Sequence, residues 1–212
     1  MKRAPPSGGR ASAREAHVTG GPARRRTHAQ GPLPPAGKGR GTGWDVAVRL
    51  IKVLFVCSGN ICRSPTAEAV FRRHVVQVGL QDLILVDSAG TLDYHVGEPP
   101  DPRTLEAARR RSYDLSGLCA RQIGRQDFLE FDHLLAMDRG HLAALRVASP
   151  PEHRRKIRLF LEYAPNRQER EVPDPYYGTA AGFELVLDLV EEASRGLLSS
   201  LQTELPRVSA SD

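Results

Sequence analysis

The sequence predicts an α/β fold: a doubly wound, four-stranded parallel sheet with helices on both faces. From Val46 onward, short continuous apolar runs alternate with longer segments of helical periodicity. The runs are mostly apolar, without regular polar alternation, which indicates strands buried on both faces of a sheet. Cap and turn residues separate the runs from the helices, as is typical of strand–helix units wound around one sheet.

The predicted strands are the four apolar runs, each short enough for a buried strand. They cover about residues 50–57, 83–86, 133–137 and 157–161. In a parallel sheet of this kind, the ligand lies beyond the carboxyl ends of the strands. We therefore expect the chemistry in the segments that directly follow these runs.

The predicted helices begin and end at recognisable cap residues. The first ends at Gly79, which suits a helix C-cap, and the second follows Asp101-Pro102, an N-cap residue with proline in the first turn. The last carries one apolar stripe, which includes Phe183 and Val190. The four helices are expected at about 65–78, 102–111, 139–147 and 179–201.

Residues 1–45 differ in composition from the remainder of the chain. The first 44 residues carry nine basic residues and one acid, a net charge of +8, whereas the whole chain carries +5. They contain few large apolar residues, so they cannot bury enough surface to offset the entropy of ordering. We predict a disordered basic tail over 1–45 and one folded domain over 46–205. Because the positive charge belongs to the tail, nucleic acid is not an expected partner.

Composition excludes several other classes of protein. No apolar run approaches the roughly 20 residues of a membrane span, so a soluble protein without a membrane partner is expected. Three cysteines, an odd number, do not form a disulfide framework, which favours a reducing compartment and a cytoplasmic protein. The seven histidines lack ligand spacing, so neither a metal nor a cofactor is expected. We expect a monomer.

The loop after the first strand carries the main chemical signal. Cys57 opens this loop, Arg63 closes it, and a helical pattern follows. Unpaired backbone N–H groups at a helix N-terminus form an anion-binding nest, and they stabilise a thiolate together with the guanidinium. Arg63 can hold two phosphate oxygens in its planar fork, and the Ser64 hydroxyl can donate to the sulfur. A nucleophile inside a phosphate cradle suits covalent phosphoryl transfer to sulfur.

A second signal lies in the C-terminal third, where Asp174 stands between two prolines. The prolines stiffen its loop, because each fixes its own φ and restricts the residue before it. Breaking a phosphate ester expels an alkoxide or phenoxide, which leaves more easily when a carboxylic acid protonates it. Asp174 is therefore the candidate general acid.

The spacing from Cys57 to Arg63 resembles the loop of the cysteine-dependent phosphatases. The sequence Gly-Asn-Ile-Cys-Arg-Ser-Pro at 59–65 is a more specific motif, and it resembles the low-molecular-weight protein tyrosine phosphatase family. Asp-Pro-Tyr-Tyr at 174–177 matches the general-acid loop of the same family, more than 110 residues away. The resemblance covers about residues 50–201. It implies a protein tyrosine phosphatase that acts on phosphotyrosine proteins without a cofactor, with Cys57 as nucleophile and Asp174 as general acid and then base.

The resemblance also implies the walls of a deep slot. Tyr94 would form one wall, and Tyr176 and Tyr177 the other. Such a slot suits phosphotyrosine, because the phosphate of phosphoserine lies too close to its backbone to reach the thiolate. The residues expected to contact substrate are Ser58, Gly59, Asn60, Ile61, Cys62, Ser64, Tyr94, Tyr176 and Tyr177.

Other loop residues are expected to support the nucleophile. Asn60 and Ser88 would hold the loop in shape through hydrogen bonds, and Cys62 would trap an oxidised Cys57 as a disulfide. Ser58 departs from the family pattern, since many members carry a larger apolar residue or threonine there, and this alters the pocket rim.

Three alternative functions stay open. Arsenate reductases of this fold need two further cysteines on a mobile segment, and here only Cys119 remains. Protein-arginine phosphatases carry threonine at the position of Ile61. A non-catalytic phosphotyrosine-binding module would be expected to lack Cys57 or Asp174, and both are present.

Overall fold

A four-stranded parallel sheet lies at the centre of residues 50–205, the part of the chain that this computed structural model describes. The strand order is β2-β1-β3-β4, and every neighbouring pair is parallel. In the register of the sheet, Cys57 lies opposite Gly90 and Val56 lies opposite Ala136. The strands are β1 (Ile51–Cys57), β2 (Ile84–Gly90), β3 (His133–Ala136) and β4 (Ile157–Leu159).

Five helices within the described residues cover the two faces of the sheet. One face packs on α1, α2 and α5, and the other on α3 and α4. Neighbouring residues of β1 point to opposite faces of the sheet. Phe55 packs edge-on against Phe71 and Phe160, whereas Leu54 packs in the core between the sheet and helices α3 and α4. This arrangement confirms the predicted doubly wound fold. The helices are α1 (Arg63–Gln77), α2 (Pro102–Arg110), α3 (Arg125–Glu130), α4 (Arg139–Ala148) and α5 (Ala180–Glu204).

The predicted cap residues of α1 and α2 act as caps. Gly79 has a φ of +72°, and its N–H donates to Val76 O while the N–H of Leu80 donates to Val75 O, both over 3.0 Å. These bonds satisfy carbonyls at the end of α1 in a Schellman arrangement. At the start of α2, the Asp101 carboxylate accepts a hydrogen bond from the N–H of Arg103.

Several element boundaries differ from the predicted ones. β2 continues to Gly90, beyond the predicted end at 86, because Asp87 and Ser88 still pair with β1 and their polar side chains find buried partners. The short α3 has no counterpart in the prediction. α1 begins two residues earlier than predicted, at Arg63, and α5 runs three residues further, to Glu204.

The predicted basic tail over 1–45 lies outside the described residues. Within residues 50–205, no helix is both long enough and apolar enough to cross a bilayer.

Candidate active site

Cys57 lies at the floor of the site, where β1 ends. Its side chain is 3% exposed, and its sulfur lies 3.0 Å from the hydroxyl of the fully buried Ser64. Among residues 50–205, no acceptor pairs with the backbone N–H groups of 58–62. Unpaired backbone donors around a buried sulfur can stabilise both a thiolate and a bound anion.

Asn60 holds the loop over the sulfur. Its φ of +57° lies in the left-handed region, which asparagine tolerates better than most residues. The side-chain amide donates to Ser64 Oγ over 2.9 Å and to Ser88 Oγ over 2.8 Å, and its oxygen accepts from the N–H of Arg121. Because Ser64 Oγ accepts from Asn60, its own hydrogen is free to point to Cys57 or to the carbonyl of Ala89.

A buried carboxylate extends this network and was not predicted. Glu68, one turn into α1, accepts from the Ser88 hydroxyl and also pairs with Arg72. The carboxylate directs the Ser88 hydrogen toward itself, so the Ser88 lone pairs face Asn60. Its sequence signal is weak, since a glutamate in the first turns of a helix is usually solvated.

Arg63 is the first residue of α1, and its guanidinium is almost fully buried. One terminal nitrogen donates to Asp138 Oδ2 over 2.8 Å, and the other donates to Asp174 Oδ2 over 2.7 Å. The guanidinium therefore pairs with carboxylates from two segments that are distant in sequence. A phosphate dianion bound by the loop would compete with Asp174 for the second nitrogen, because both are anionic acceptors.

Asp138 is a functional candidate that the sequence interpretation missed. It lies two residues beyond the end of β3 and caps α4 by accepting from the N–H of His141 over 2.8 Å. Burial opposes its ionisation, but the hydrogen bond from the backbone N–H of His141, the close contact with the His141 ring and the charge of Arg63 outweigh burial and hold the pKa of Asp138 well below its usual range. Its position at the carboxyl end of a buried strand was the available signal.

His141 connects α4 to the Cys57–Arg63 loop. Its ring is buried, and Nε2 lies 2.8 Å from the hydroxyl of Ser58. Nδ1 lies 2.9 Å from Asp138 Oδ1, a close electrostatic contact without hydrogen-bond geometry. The hydroxyl of Ser58 thus provides a polar tie between loop and helix that an apolar residue at this position would lack.

Cys57, Arg63 and Asp174 line a cavity of about 320 Å³. Exposure rises steeply from Cys57 at the floor to Tyr94 and Tyr177 at the rim, which are 77% and 95% exposed. Leu92 and His95 also line the cavity and were missed, although they flank Tyr94 in the same loop. The other lining residues are Ser58, Gly59, Ile61, Cys62 and Tyr176.

Three of the predicted site residues lie beneath the cavity rather than in its lining: Asn60, Ser64 and Ser88. They contact the sulfur or one another. Cys62 does line the cavity, but burial raises the pKa of its thiol to about 12, so this thiol is protonated at neutral pH.

Asp174 projects from the loop that precedes α5. Its Oδ1 accepts from the N–H of Tyr176 over 3.1 Å, and its side chain is about half exposed at the cavity mouth. Within residues 50–205, no group of three or more His, Cys, Asp or Glu is placed to hold a metal ion. Thiol, guanidinium and carboxyl group together can bind a phosphate ester, attack it and protonate its leaving group.

The comparisons with known proteins agree with this geometry. The family model described as low molecular weight phosphotyrosine protein phosphatase matches residues 52–207. A low molecular weight protein-tyrosine-phosphatase of Streptomyces coelicolor is 46% identical over 157 residues, which cover 73% of this chain and 95% of that protein. The human low molecular weight phosphotyrosine protein phosphatase is 42% identical over 148 residues, which cover 69% of this chain and 92% of the human protein.

Solved structures are similar over the same region. The crystal structure of YfkJ from Bacillus subtilis aligns with a TM-score of 0.70 at 40% identity, covering 78% of this chain and 99% of that one. The crystal structure of a protein tyrosine phosphatase from Entamoeba histolytica aligns with a TM-score of 0.71 at 37% identity. The alignment covers 73% of this chain and 98% of that one. Because the family model, the relatives and the fold agree, the chain belongs to the low molecular weight phosphotyrosine protein phosphatases, a family of protein-tyrosine phosphatases.

Proposed function

We propose that this protein hydrolyses phosphotyrosine in proteins through a cysteinyl-phosphate intermediate. One observation carries the proposal: Arg63 Nη2 lies 2.7 Å from Asp174 at the mouth of the cavity whose floor is Cys57. Nucleophile, phosphate-binding group and acid thus face one space that can hold a phosphate ester.

In the first step, the Cys57 thiolate attacks phosphorus from the floor of the cavity. The sulfur–phosphorus bond forms as the bond from phosphorus to the aryl oxygen breaks. Asp174 gives its proton to that oxygen, and tyrosine leaves as the neutral phenol. Arg63 and the loop amides hold the charge of the transferring phosphoryl group.

In the second step, the Asp174 carboxylate takes a proton from water as the water oxygen attacks phosphorus. The sulfur–phosphorus bond breaks, the thiolate is restored, and inorganic phosphate leaves. The hydrogen bond from Ser64 stabilises the thiolate as the leaving group in this step and as the nucleophile in the first.

The depth of the cavity supports an aryl substrate. Cys57 is buried, whereas the aromatic side chains of Tyr94 and Tyr177 stand at the exposed rim, so the reacting phosphate must reach inward past them. A phenyl ring carries the phosphate inward from the rim and can pack against the aromatic walls. The short side chain of phosphoserine would bring its backbone against the rim.

The alternative functions have less support in this chain. Cys119 is exposed, and it is the one cysteine outside the Cys57–Arg63 loop, which leaves an arsenate-reductase relay without its second thiol. Ile61 presents an apolar side chain to the cavity, where an arginine phosphatase would need a threonine. A cytoplasmic location also stays part of the proposal, since a thiol nucleophile has to stay reduced.

The test compares matched phosphotyrosine and phosphoserine peptides, with Cys57→Ser as the inactive variant and Cys119→Ser as its control. We expect turnover of the phosphotyrosine peptide, loss of measurable turnover in Cys57→Ser with phosphate binding retained, and full activity in Cys119→Ser. Comparable kcat/KM for the two peptides would contradict the deep-slot argument. Substantial turnover by Cys57→Ser would contradict the covalent mechanism.

A further inference from the structure

The first turn of α2 contacts both loops of the active site. The backbone N–H of Asp101 donates to the carbonyl of Ile61, in the Cys57–Arg63 loop, over 2.9 Å. Two residues later, Arg103 Nη1 donates to the carbonyl of Tyr176, in the loop that carries Asp174, over 2.9 Å. One rigid helical turn therefore bridges the nucleophile loop and the acid loop.

Arg103 is itself held in a defined position. The Asp101 carboxylate accepts from its Nε over 3.0 Å and from its Nη2 over 2.7 Å, a bidentate pair. The guanidinium also lies over two aromatic rings, 5.2 Å from the centre of Tyr176 and 5.0 Å from that of Phe183. Because these contacts use the whole planar fork, lysine could not reproduce them.

We propose that Arg103 is a positioning residue for Asp174, an inference that rests on the proposed general-acid role of Asp174. Arg103 does not line the cavity, so it acts through the loop. It fixes the carbonyl of Tyr176 over 2.9 Å, and the backbone N–H of the same residue binds Asp174 Oδ1 over 3.1 Å. A shift of the Tyr176 backbone moves the carboxyl group away from the leaving oxygen, and proton transfer requires the two within hydrogen-bond reach.

Arg103 also opposes a competing attraction. Arg63 holds Asp174 Oδ2 at 2.7 Å, which draws the carboxyl group toward the phosphate site. Arg103 holds the carbonyl of Tyr176, in the same loop, close to α2, and its guanidinium rests on the ring of Phe183. The charge of Arg103 is offset by Asp101, so its effect on Asp174 is mainly mechanical rather than electrostatic.

The test is Arg103→Met, which keeps a long side chain between the rings but removes the fork. Arg109→Met is the matched control, because Arg109 lies on the same helix, is 75% exposed and pairs with Glu106. The measurements are kcat/KM on phenyl phosphate, whose phenol is a poor leaving group, and on p-nitrophenyl phosphate, together with inhibition by inorganic phosphate. The parameter kcat/KM reports on the step that expels the phenol.

We expect Arg103→Met to lose about tenfold on phenyl phosphate and less than about twofold on p-nitrophenyl phosphate, with phosphate inhibition unchanged. Arg109→Met should match the wild type on both esters. An equal loss on both esters, or no loss on either, would overturn the inference. Arg103→Lys is the second variant if Arg103→Met does not fold, and the same difference between esters is expected of it.

The double variant Arg103→Met/Asp174→Asn separates this inference from the proposed function. Once Asp174 has lost its proton-donating role, removing Arg103 should cost no further activity on phenyl phosphate. A further tenfold loss in the double variant would overturn the positioning role alone. If Asp174→Asn loses the same factor in kcat/KM on both esters, the general-acid assignment fails, and the role of Arg103 fails with it.

Discussion

A single methyl group at Gly90 should disable the active site without touching any reacting atom. Gly90 ends β2 directly opposite Cys57 in the sheet. A Cβ atom there would lie 2.5 Å from the carbonyl oxygen of Ser58 and 3.1 Å from the carbonyl carbon of Gly59, whereas ordinary contact begins at 3.4 Å. The first contact is therefore too short by about 0.9 Å, and both obstructing atoms belong to backbone.

The strand cannot move aside easily to relieve this contact. The N–H of Gly90 donates to Arg121 O over 2.8 Å, and its carbonyl accepts from Ile123 N–H over 2.9 Å. The displacement therefore falls on the Cys57–Arg63 loop. A misplacement of about 1 Å costs on the order of 100-fold in rate, and overpacking of a tight interior costs about 1–3 kcal/mol of stability.

The assay measures kcat/KM on p-nitrophenyl phosphate, inhibition by inorganic phosphate, and unfolding in urea. Gly124→Ala is the control, because the Cβ atom added there meets its nearest neighbour, Asp127 Oδ2, at 3.9 Å. We expect Gly90→Ala to lose about 100-fold in kcat/KM and to bind phosphate weakly. If Gly90→Ala and Gly124→Ala stay within twofold of each other, the loop is not confined by β2 and the reasoning is wrong.

Three further predictions concern stability, oxidation and the tail. Because the pKa of Asp138 is lowered in the folded state, its ionisation stabilises the fold above about pH 4, and this contribution disappears as the pH falls further; the stability difference between wild type and Asp138→Asn in urea should therefore be larger at pH 7 than at pH 3. Peroxide should inactivate the enzyme reversibly, and peptide mass mapping should find a Cys57–Cys62 disulfide in the oxidised protein. The Cys62→Ser variant should recover little activity after dithiothreitol. If the wild type recovers fully while Cys62 stays unmodified, Cys62 has only a packing role. A chain beginning at Asp45 should keep the melting temperature and the kcat on small substrates, and unfolding of that shorter chain would contradict the predicted independence of the domain.

Features that depend on neighbours in sequence were predicted well. The strand before Cys57, the glycine cap at Gly79 and the N-cap at Asp101 follow from local conformational preferences, and the structure confirms them. β2 was predicted too short because Asp87 and Ser88 are polar, and polarity alone indicates a turn. Their burial depends on partners from other elements, which no local pattern reveals.

The fold class and the Cys57–Arg63 loop can be predicted from the amino-acid pattern alone, because both ends of that loop lie within one strand–turn–helix unit whose geometry is local. The prolines and tyrosines beside Asp174 also made this residue the candidate general acid, a role that stays a prediction. The groups that meet at the site become visible only in the folded chain: Asp138 contacts Arg63 across 75 residues, and Asp174 contacts it across 111. The physical reason is that a parallel sheet gathers the carboxyl ends of all its strands at one edge, while the packing of individual side chains selects which of the residues there touch.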